Sequence, residues 1–150
     1  YYREDYNVKG IYENEVYGGI RETLEELTNL GYKLIIATSK PDYLAEIVLK
    51  HFDLIKYFSY ISGAVKDIRS TKFEVINHAL TYNNISNLDE VIMVGDRKYD
   101  VIGANENNIR SIAVLYGGYS TMEEFIEFPP TYFARTPKDI INIVENINSK

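Results

Sequence analysis

Hydrophobic positions along the chain change repeatedly between a helical spacing and a strand-like spacing. Several segments carry their apolar residues on one helical face, which is typical of amphipathic helices. These segments lie at about 20–30, 41–48, 71–82, 98–107 and 136–147. Short apolar runs that resemble buried strands lie at 33–37, 58–61, 91–94, 111–115 and 131–134. This alternation predicts an α/β fold in which a parallel sheet is covered by helices on both faces.

Residues at the predicted boundaries support these elements. Gly31 is expected to end the first helix, and Pro41 is expected to begin the second. Thr71 and Glu74 have the spacing of a capping box. Further boundary signals are a turn at Ser62-Gly63, a turn at Gly117, Gly118 and Tyr119, a capping box at Ser120 and Glu123 before a short helix, and a helix start at Thr136-Pro137.

The first 17 residues lack this regularity. Tyr1 to Asn7 is aromatic and charged, and Lys9 to Tyr17 shows no clean hydrophobic period. We therefore expect a boundary after residue 17. The segment 1–17 is predicted to be the tail of another unit, and 18–150 is predicted to form the domain built from the periodic elements.

Composition narrows the class of protein. The 150 residues are 45% apolar and 25% charged, which suits one globular domain. The net charge of −6 disfavours nucleic acid as a partner, and without cysteine the chain has no disulfide or thiolate site. No segment approaches the ~20 apolar residues of a membrane span, so we expect a soluble, cytoplasmic protein that binds no membrane. His51 and His78 are predicted to be surface or partly packed helix residues.

The clearest chemical signal is Gly95-Asp96 followed by Asp100. Because the apolar run 91–94 ends at Gly95, Asp96 is expected on a strand-to-helix turn and Asp100 in the next helical turn. Two carboxylates four residues apart at a helix start can face one point and suit Mg²⁺. Ligands of open α/β sheets bind at this edge. The alternative is that Asp96 only caps the helix.

Hydroxyl and ammonium groups are predicted at the same edge of the sheet. Thr38 and Ser39 follow the strand 33–37, where hydroxyl and backbone N–H groups can bind phosphate, although Ser39 is also a plausible helix cap. Lys72 falls in a first helical turn, where the helix dipole disfavours a cation by ~0.3–1 kcal/mol. Either solvent or a bound anion would relieve this conflict. Four other cations are expected to be solvated surface charges: Lys66, Arg69, Arg97 and Lys98.

These motifs together resemble three motifs of the haloacid dehalogenase superfamily. They are Ala37-Thr38-Ser39-Lys40-Pro41, Lys72 at a helix start and Gly95-Asp96-Arg97-Lys98-Tyr99-Asp100, in that order. With Ser111 through Tyr119, the chain is similar to the phosphoglycolate phosphatase and 5′-nucleotidase-like branch. That branch has a Rossmann-like core and a helical cap. The resemblance implies Mg²⁺-dependent hydrolysis of a small phosphorylated metabolite such as phosphoglycolate, a nucleoside monophosphate or pyrophosphate.

The resemblance also implies a role for each matching residue. Thr38 and Ser39 would bind the phosphoryl group, with Thr38 as a hydrogen-bond donor, and Lys72 would neutralise its charge. Asp96 and Asp100 would form the metal site. In it Asp96 would ligate Mg²⁺, and Asp100 would orient the water shell or Lys72.

The chain departs from the family at Gly18-Gly19, where relatives often have a Pro-Gly turn, and more severely because it contains no Asp-x-Asp motif. In the family this motif follows the first, central strand and supplies the nucleophile and the general acid/base of a phospho-aspartyl mechanism. We therefore expect a C-terminal fragment of a longer phosphatase, without that strand and most of the cap, and with 1–17 as the cap end and hinge. Alone, it is predicted to be inactive and loosely packed. The alternative is a non-catalytic binding or scaffold protein.

Overall fold

The structure, a computed structural model, describes residues 2–4, 19–115 and 122–148. Within these residues the strands are β1 (Tyr2–Glu4), β2 (Ile35–Pro41), β3 (Tyr60–Ala64), β4 (Ile92–Gly95), β5 (Arg110–Val114) and β6 (Tyr132–Ala134). The α-helices are α1 (Ile20–Asn29), α2 (Asp42–His51), α3 (Lys72–Tyr82), α4 (Lys98–Glu106) and α5 (Pro137–Asn148). Short 3₁₀ turns lie at Ile55–Tyr57, Leu88–Glu90 and Met122–Phe125.

All strand pairs of the described residues are parallel. One set has the order β1-β2-β3 and the other has the order β4-β5-β6, and β1 lies beside β4. Parallel strands end at the same edge of a sheet, so the turns after β2 and β4 share the edge where ligands of such folds bind. The predicted α/β fold with a parallel sheet is therefore confirmed.

The short strand β1 differs from what the sequence predicts. The hydrophobic pattern predicts no strand beside β2 on the side away from β3, so that edge of β2 would be unpaired. In the structure, Tyr2–Glu4 pairs with residues 35–37 at this edge. Any extended segment can form backbone hydrogen bonds with the unpaired N–H and C=O groups of an edge strand. A strand such as β1 therefore needs no hydrophobic pattern of its own. The other residues of the predicted cap end and hinge, 1 and 5–17, lie outside the described residues, so that assignment stays a prediction.

Successive residues of the central strands pack on opposite faces of the sheet. Ile36 and Ile92 lie in one apolar cluster, together with residues of α1, α2 and α5. Ile35 and Met93 lie in a second cluster, together with residues of α3 and α4. This alternation follows from the two-residue period of a strand, and it requires apolar residues at every position of a strand that is covered on both faces.

The strand β3 begins and ends later than predicted. The sequence predicts a strand at 58–61 and a turn at Ser62-Gly63, whereas both residues lie inside β3. The Ser62 hydroxyl is buried and donates to the Val75 carbonyl oxygen at 2.6 Å, so its polarity is satisfied inside the fold. Gly63 lies against α2, since a Cβ there would come within 2.5 Å of the Asp42 nitrogen. The turn-like composition therefore reflects close packing.

Most predicted helix boundaries are found in the structure. Thr71 and Glu74 form a reciprocal capping box at the start of α3, and the Thr136 hydroxyl accepts from the Asp139 amide at the start of α5. Gly31 follows α1 with a φ of +93°, a conformation that favours glycine. The signals at 117–120 lie outside the described residues.

None of the helices in residues 19–115 and 122–148 combines the length and the apolar character that a bilayer crossing requires.

Candidate active site

The first predicted pair of site residues lies inside β2 and not on a turn after it, because the strand continues to Pro41, past an irregularity in its pairing with β3 between Ala37 and Pro41. Thr38 is fully buried, and its Oγ1 accepts a hydrogen bond from the Lys40 amide at 3.0 Å. This is the only hydrogen bond of the Thr38 hydroxyl among the described residues, so its O–H group is able to donate to a ligand. Ser39 is exposed, and α2 begins without a side-chain cap, so the helix-cap alternative for Ser39 is not what the structure contains.

Asp100 organises the turn after β4. Its Oδ2 accepts hydrogen bonds from the backbone amides of Asp96 and Arg97, each at 3.1 Å. Gly95 makes room for this carboxylate, because a Cβ at that position would overlap it. The side chain of Asp100 thus stabilises the start of α4, and the predicted alternative of Asp96 as the helix cap is not observed.

Lys72 connects α3 to the same carboxylate. The capping box of Thr71 and Glu74 begins α3 directly before Lys72, and its Nζ lies 3.0 Å from Oδ1 of Asp100. Only 8% of the Lys72 side chain and 4% of the Asp100 side chain are exposed. The stem of Lys72 lies over Gly103, where a Cβ would come within 2.6 Å of the Lys72 Cγ. The predicted conflict with the helix dipole is resolved by a buried ion pair.

Several of the predicted site residues lie together. A cavity of about 300 Å³ lies between the end of β2 and the helices α3 and α4, and Ser39, Lys72, Tyr99 and Glu106 contribute to its wall. Thr38, Asp96 and Asp100 are not among the residues that line it. Asp96 is 4% exposed and adjoins this group through the bond from its amide to Asp100. Both oxygens of Asp100 are already engaged, by Lys72 and by two amides. This favours a role in orienting Lys72 over direct ligation of a metal.

The donor chemistry of Asp96 suits a hard cation such as Mg²⁺. Its carboxylate is buried at the ligand-binding edge, where an anionic oxygen is the preferred ligand of a hard cation. Across residues 19–115 and 122–148, no group of three or more acidic, histidine or cysteine side chains is close enough to enclose a metal. Asp96 thus fits such a site as one ligand of a set that the described residues do not complete.

Two of the cations that the sequence predicts to be solvated are anchored. The Arg97 Nε donates to Glu124 at 3.0 Å, and this bond raises the pKa of the arginine. The Arg69 Nε donates to the Gly63 carbonyl oxygen at 2.9 Å. Glu124 lies 27 positions beyond Arg97 and no motif marks it, so only the fold reveals this pair.

The two histidines have the surroundings that the sequence predicts. His51 is exposed at the end of α2, and His78 is partly buried on α3. The Tyr60 hydroxyl lies 2.7 Å from Nε2 of His78.

Comparison with known proteins adds an independent observation. A family model described as haloacid dehalogenase-like hydrolase matches residues 1–114. A 5′-nucleotidase from Pseudomonas aeruginosa is 35% identical over 147 residues, which cover 97% of this chain and 66% of that protein. The crystal structure of a predicted phosphatase from Clostridium acetobutylicum is 40% identical with a TM-score of 0.81, covering 95% of this chain and 64% of that chain.

A relative with a different name has similar identity. The tyrosine-protein kinase PtkA of Mycobacterium tuberculosis is 38% identical over 118 residues, which cover 77% of this chain and 40% of the kinase. The chain spans 40% to 66% of the length of these two curated relatives.

Proposed function

Because the chain belongs to the haloacid dehalogenase-like hydrolase family, we propose that it forms the core of a magnesium-dependent phosphatase for a small phosphomonoester. The observation that carries this proposal is the buried pair of Lys72 and Asp100, with Lys72 and Ser39 lining the same cavity. Burying an ion pair has a high desolvation cost, and apolar residues of similar volume often stabilise a fold equally well. A functional need for the ammonium group explains why it is retained.

Lys72 and Thr38 would stabilise the phosphoryl group during transfer. The Lys72 ammonium is held by Asp100 at a fixed position, and preorganised charge of this kind stabilises the negative oxygens of a transition state. The Thr38 hydroxyl would donate to one phosphoryl oxygen, and the exposed Ser39 would bind another. Asp100 would act as a positioning residue.

Asp96 would hold Mg²⁺ through one anionic oxygen, and the ion, when bound, would supply positive charge next to the phosphoryl oxygens. The nucleophile of the proposed reaction is an aspartate of an Asp-x-Asp motif, which would form a phospho-aspartyl intermediate that water hydrolyses. These 150 residues contain no such motif. We therefore assign the proposed activity to a whole protein of which this chain is a part.

The second candidate is a non-catalytic protein that keeps the phosphate-binding residues. It is favoured by one observation, the lack of an Asp-x-Asp motif in the sequence. Such a protein would bind phosphate esters without hydrolysing them. Turnover by the full-length wild-type protein separates the two candidates directly.

The test uses the full-length protein with phosphoglycolate, a nucleoside monophosphate and pyrophosphate as substrates. Asp96→Asn should weaken Mg²⁺ binding and lower kcat by about 100-fold or more, because an anionic ligand is lost. Lys72→Ala should lower kcat by about 100-fold and change KM less, because its charge acts mainly in the transition state.

Lys56→Ala provides a matched control, because Lys56 is an exposed lysine before β3 whose ion pair with Asp53 is also exposed. Its kcat should equal that of the wild type. Unchanged kcat in both site variants would contradict the proposal. Binding of all three compounds without turnover by the wild type would support the non-catalytic candidate.

A further inference from the structure

A second cavity lies beside the proposed phosphate site. It has a volume of about 470 Å³ and lies at the ends of β2 and β3. Ser39 and Pro41 form its wall on the β2 side, and Lys66, Arg69 and Ser70 form its wall on the other side. Ser39 also lines the cavity that contains Lys72. The two cavities therefore adjoin at Ser39.

A tight hairpin presents the two cations of this cavity. Val65 and Arg69 exchange two backbone hydrogen bonds of 2.9 Å each, and Asp67 adopts a φ of +64° at the turn. The floor behind the hairpin is closely packed, since Gly63 lies in contact with the backbone at the start of α2. Lys66 and Arg69 are thus carried on a short, hydrogen-bonded support.

The Arg69 guanidinium is oriented by the protein. It is partly buried, and its Nε donates to the Gly63 carbonyl oxygen at 2.9 Å. Among the described residues this is its only hydrogen bond, so both of its Nη groups retain N–H donors. A planar guanidinium held in this way is suited to bind a carboxylate or a phosphate with two parallel hydrogen bonds.

The charge of the cavity favours an anion. The acidic and basic side chains that line it are Lys66, Arg69 and Asp42, whose formal charges sum to +1. The phosphoryl group itself is assigned to Thr38, Ser39 and Lys72. The cations of the second cavity are therefore available for a different anionic group of the same molecule.

We propose that this cavity binds a second anionic group of the substrate, so that the phosphatase acts on phosphorylated acids or bisphosphorylated compounds. This inference rests on the proposed function and chooses among its substrates. It favours an ester such as phosphoglycolate, in which a carboxylate lies a short linker away from phosphorus. A nucleoside monophosphate has no second anionic group and would leave Arg69 without a partner.

The experiment compares matched substrates on the full-length protein. Phosphoglycolate is paired with ethyl phosphate, and 2-carboxyethyl phosphate is paired with propyl phosphate, so that each pair differs in the carboxylate. The wild type should prefer the acid in at least one pair. Arg69→Gln should lower kcat/KM for that acid by about ten- to a hundredfold, the usual worth of a hydrogen bond to a charged group. Its kcat/KM for the neutral partner should change less than about twofold.

Two more variants separate binding from folding. Lys66→Gln changes an exposed side chain and should lower kcat/KM for the acid by about two- to fivefold. Lys56→Gln removes an exposed charge elsewhere and should affect neither substrate, which controls for net charge. Thermal unfolding of Arg69→Gln shows whether the loss of its bond to Gly63 disturbs the fold.

Each outcome decides the proposal. An equal loss for acid and neutral substrates in Arg69→Gln, or a wild type that prefers the neutral ester in both pairs, would overturn the second anion site. The proposed phosphatase function would stand in either case, because hydrolysis is still observed. Turnover of a nucleoside monophosphate without turnover of the four compounds would also overturn the second anion site. Absence of turnover for the four compounds, the nucleoside monophosphate and pyrophosphate would reject the phosphatase function, and the inference with it.

Discussion

Lys72 illustrates how a residue that is unfavourable for local structure can mark a site. A cation in the first turn of a helix meets the positive end of the helix dipole. Burial adds a further cost, because a charge loses its hydration. Asp100 compensates for both effects at 3.0 Å, and its own charge is balanced by two backbone amides and by the ammonium. Side chains that conflict with their local environment are therefore informative when a partner can be identified.

His78 belongs to a partly buried polar cluster on α3. The Tyr60 hydroxyl is hydrogen-bonded to Nε2 of His78 at 2.7 Å, and Tyr60 also stacks on Tyr82. Burial lowers the pKa of His78, and the positive charge of Arg69 lowers it further, while Asp42 opposes the shift. The folded state therefore binds a proton at this position less readily than the unfolded state does.

We expect the free energy of unfolding to fall as the pH decreases from about 7 to 5. The neutral imidazole contributes its full stability above the unfolded pKa near 6.5, and that stability is lost as the pH falls toward the folded pKa. The variant His78→Gln keeps an acceptor for Tyr60 but does not titrate, so part of this slope should disappear. Urea unfolding at several pH values provides the measurement.

His51→Gln is the control, because His51 is exposed at the end of α2. This variant should keep the slope of the wild type. A His78→Gln protein with the same slope as the wild type would exclude His78 as its origin.

Glu74 does not contribute to this slope between pH 7 and 5. The pKa of its carboxylate is below the usual value because the backbone amides of Ser70 and Thr71 donate to it.

Several individual roles can be predicted from sequence because a local rule specifies them. The capping box of Thr71 and Glu74, and the turn position of Asp96, depend only on near neighbours. Pairs between distant elements are different. The contact of Lys72 with Asp100 spans 28 positions, and the contact of Arg97 with Glu124 spans 27, so nothing local specifies either partner.

At the scale of elements, the site depends on the contact between α3 and α4. Gly103 allows the two helices to approach, with the Lys72 stem and Ile76 lying over it. Asn107 strengthens this contact by donating to the Phe73 carbonyl oxygen. The direction of the Lys72 side chain is therefore set partly by a glycine on the neighbouring helix.

We expect Gly103→Ala, although it adds only one methyl group, to displace the Lys72 side chain from its position in the site. The new Cβ would come within 2.6 Å of Lys72 Cγ and 3.0 Å of Ile76 Cδ1, so either the helices separate or Lys72 moves. Overpacking of this kind costs about 1–3 kcal/mol of stability. In the full-length protein, kcat should fall more than KM rises, and kinetics with urea unfolding would measure both effects.

Asn105→Ala is the matched control, because Asn105 lies on the exposed face of the same helix. Alanine is a better helix former than asparagine, so this variant should equal or slightly exceed the wild type in stability, with unchanged kcat. A Gly103→Ala protein with wild-type kinetics would show that the glycine does not position Lys72.

Helices and strands could be predicted from the sequence wherever the spacing of apolar residues clearly matched one of the two. The helices have a clear apolar period, and the strands β2, β4 and β5 contain continuous apolar runs. The predicted parallel sheet with helices on its faces is confirmed. The pattern failed for β1, which has no apolar run, and for β3, where Ser62 and Gly63 imitate a turn. In both segments tertiary contacts determine the backbone conformation, so the local composition is misleading.

At the scale of the whole molecule, the 150-residue chain expressed alone should hydrolyse no phosphomonoester above background, even with saturating Mg²⁺. The physical reason is that the sequence contains no Asp-x-Asp motif, and the carboxylate of Asp100 is already engaged by Lys72 and two amides. Assays with p-nitrophenyl phosphate would measure this. Turnover that disappears when an aspartate of this chain is replaced would contradict the prediction and identify a nucleophile within it.

The two oxygens of the Asp100 carboxylate bond to different partners, and this links local unfolding of the turn after β4 to the position of Lys72. The amide protons of Asp96 and Arg97 are both bonded to one oxygen of this group, while the other oxygen holds the Lys72 ammonium. Neither amide can exchange with solvent until the carboxylate moves, and its movement also breaks the ion pair with Lys72. Hydrogen exchange at these two amides therefore reports the rate at which the phosphate site comes apart, even when no substrate is present.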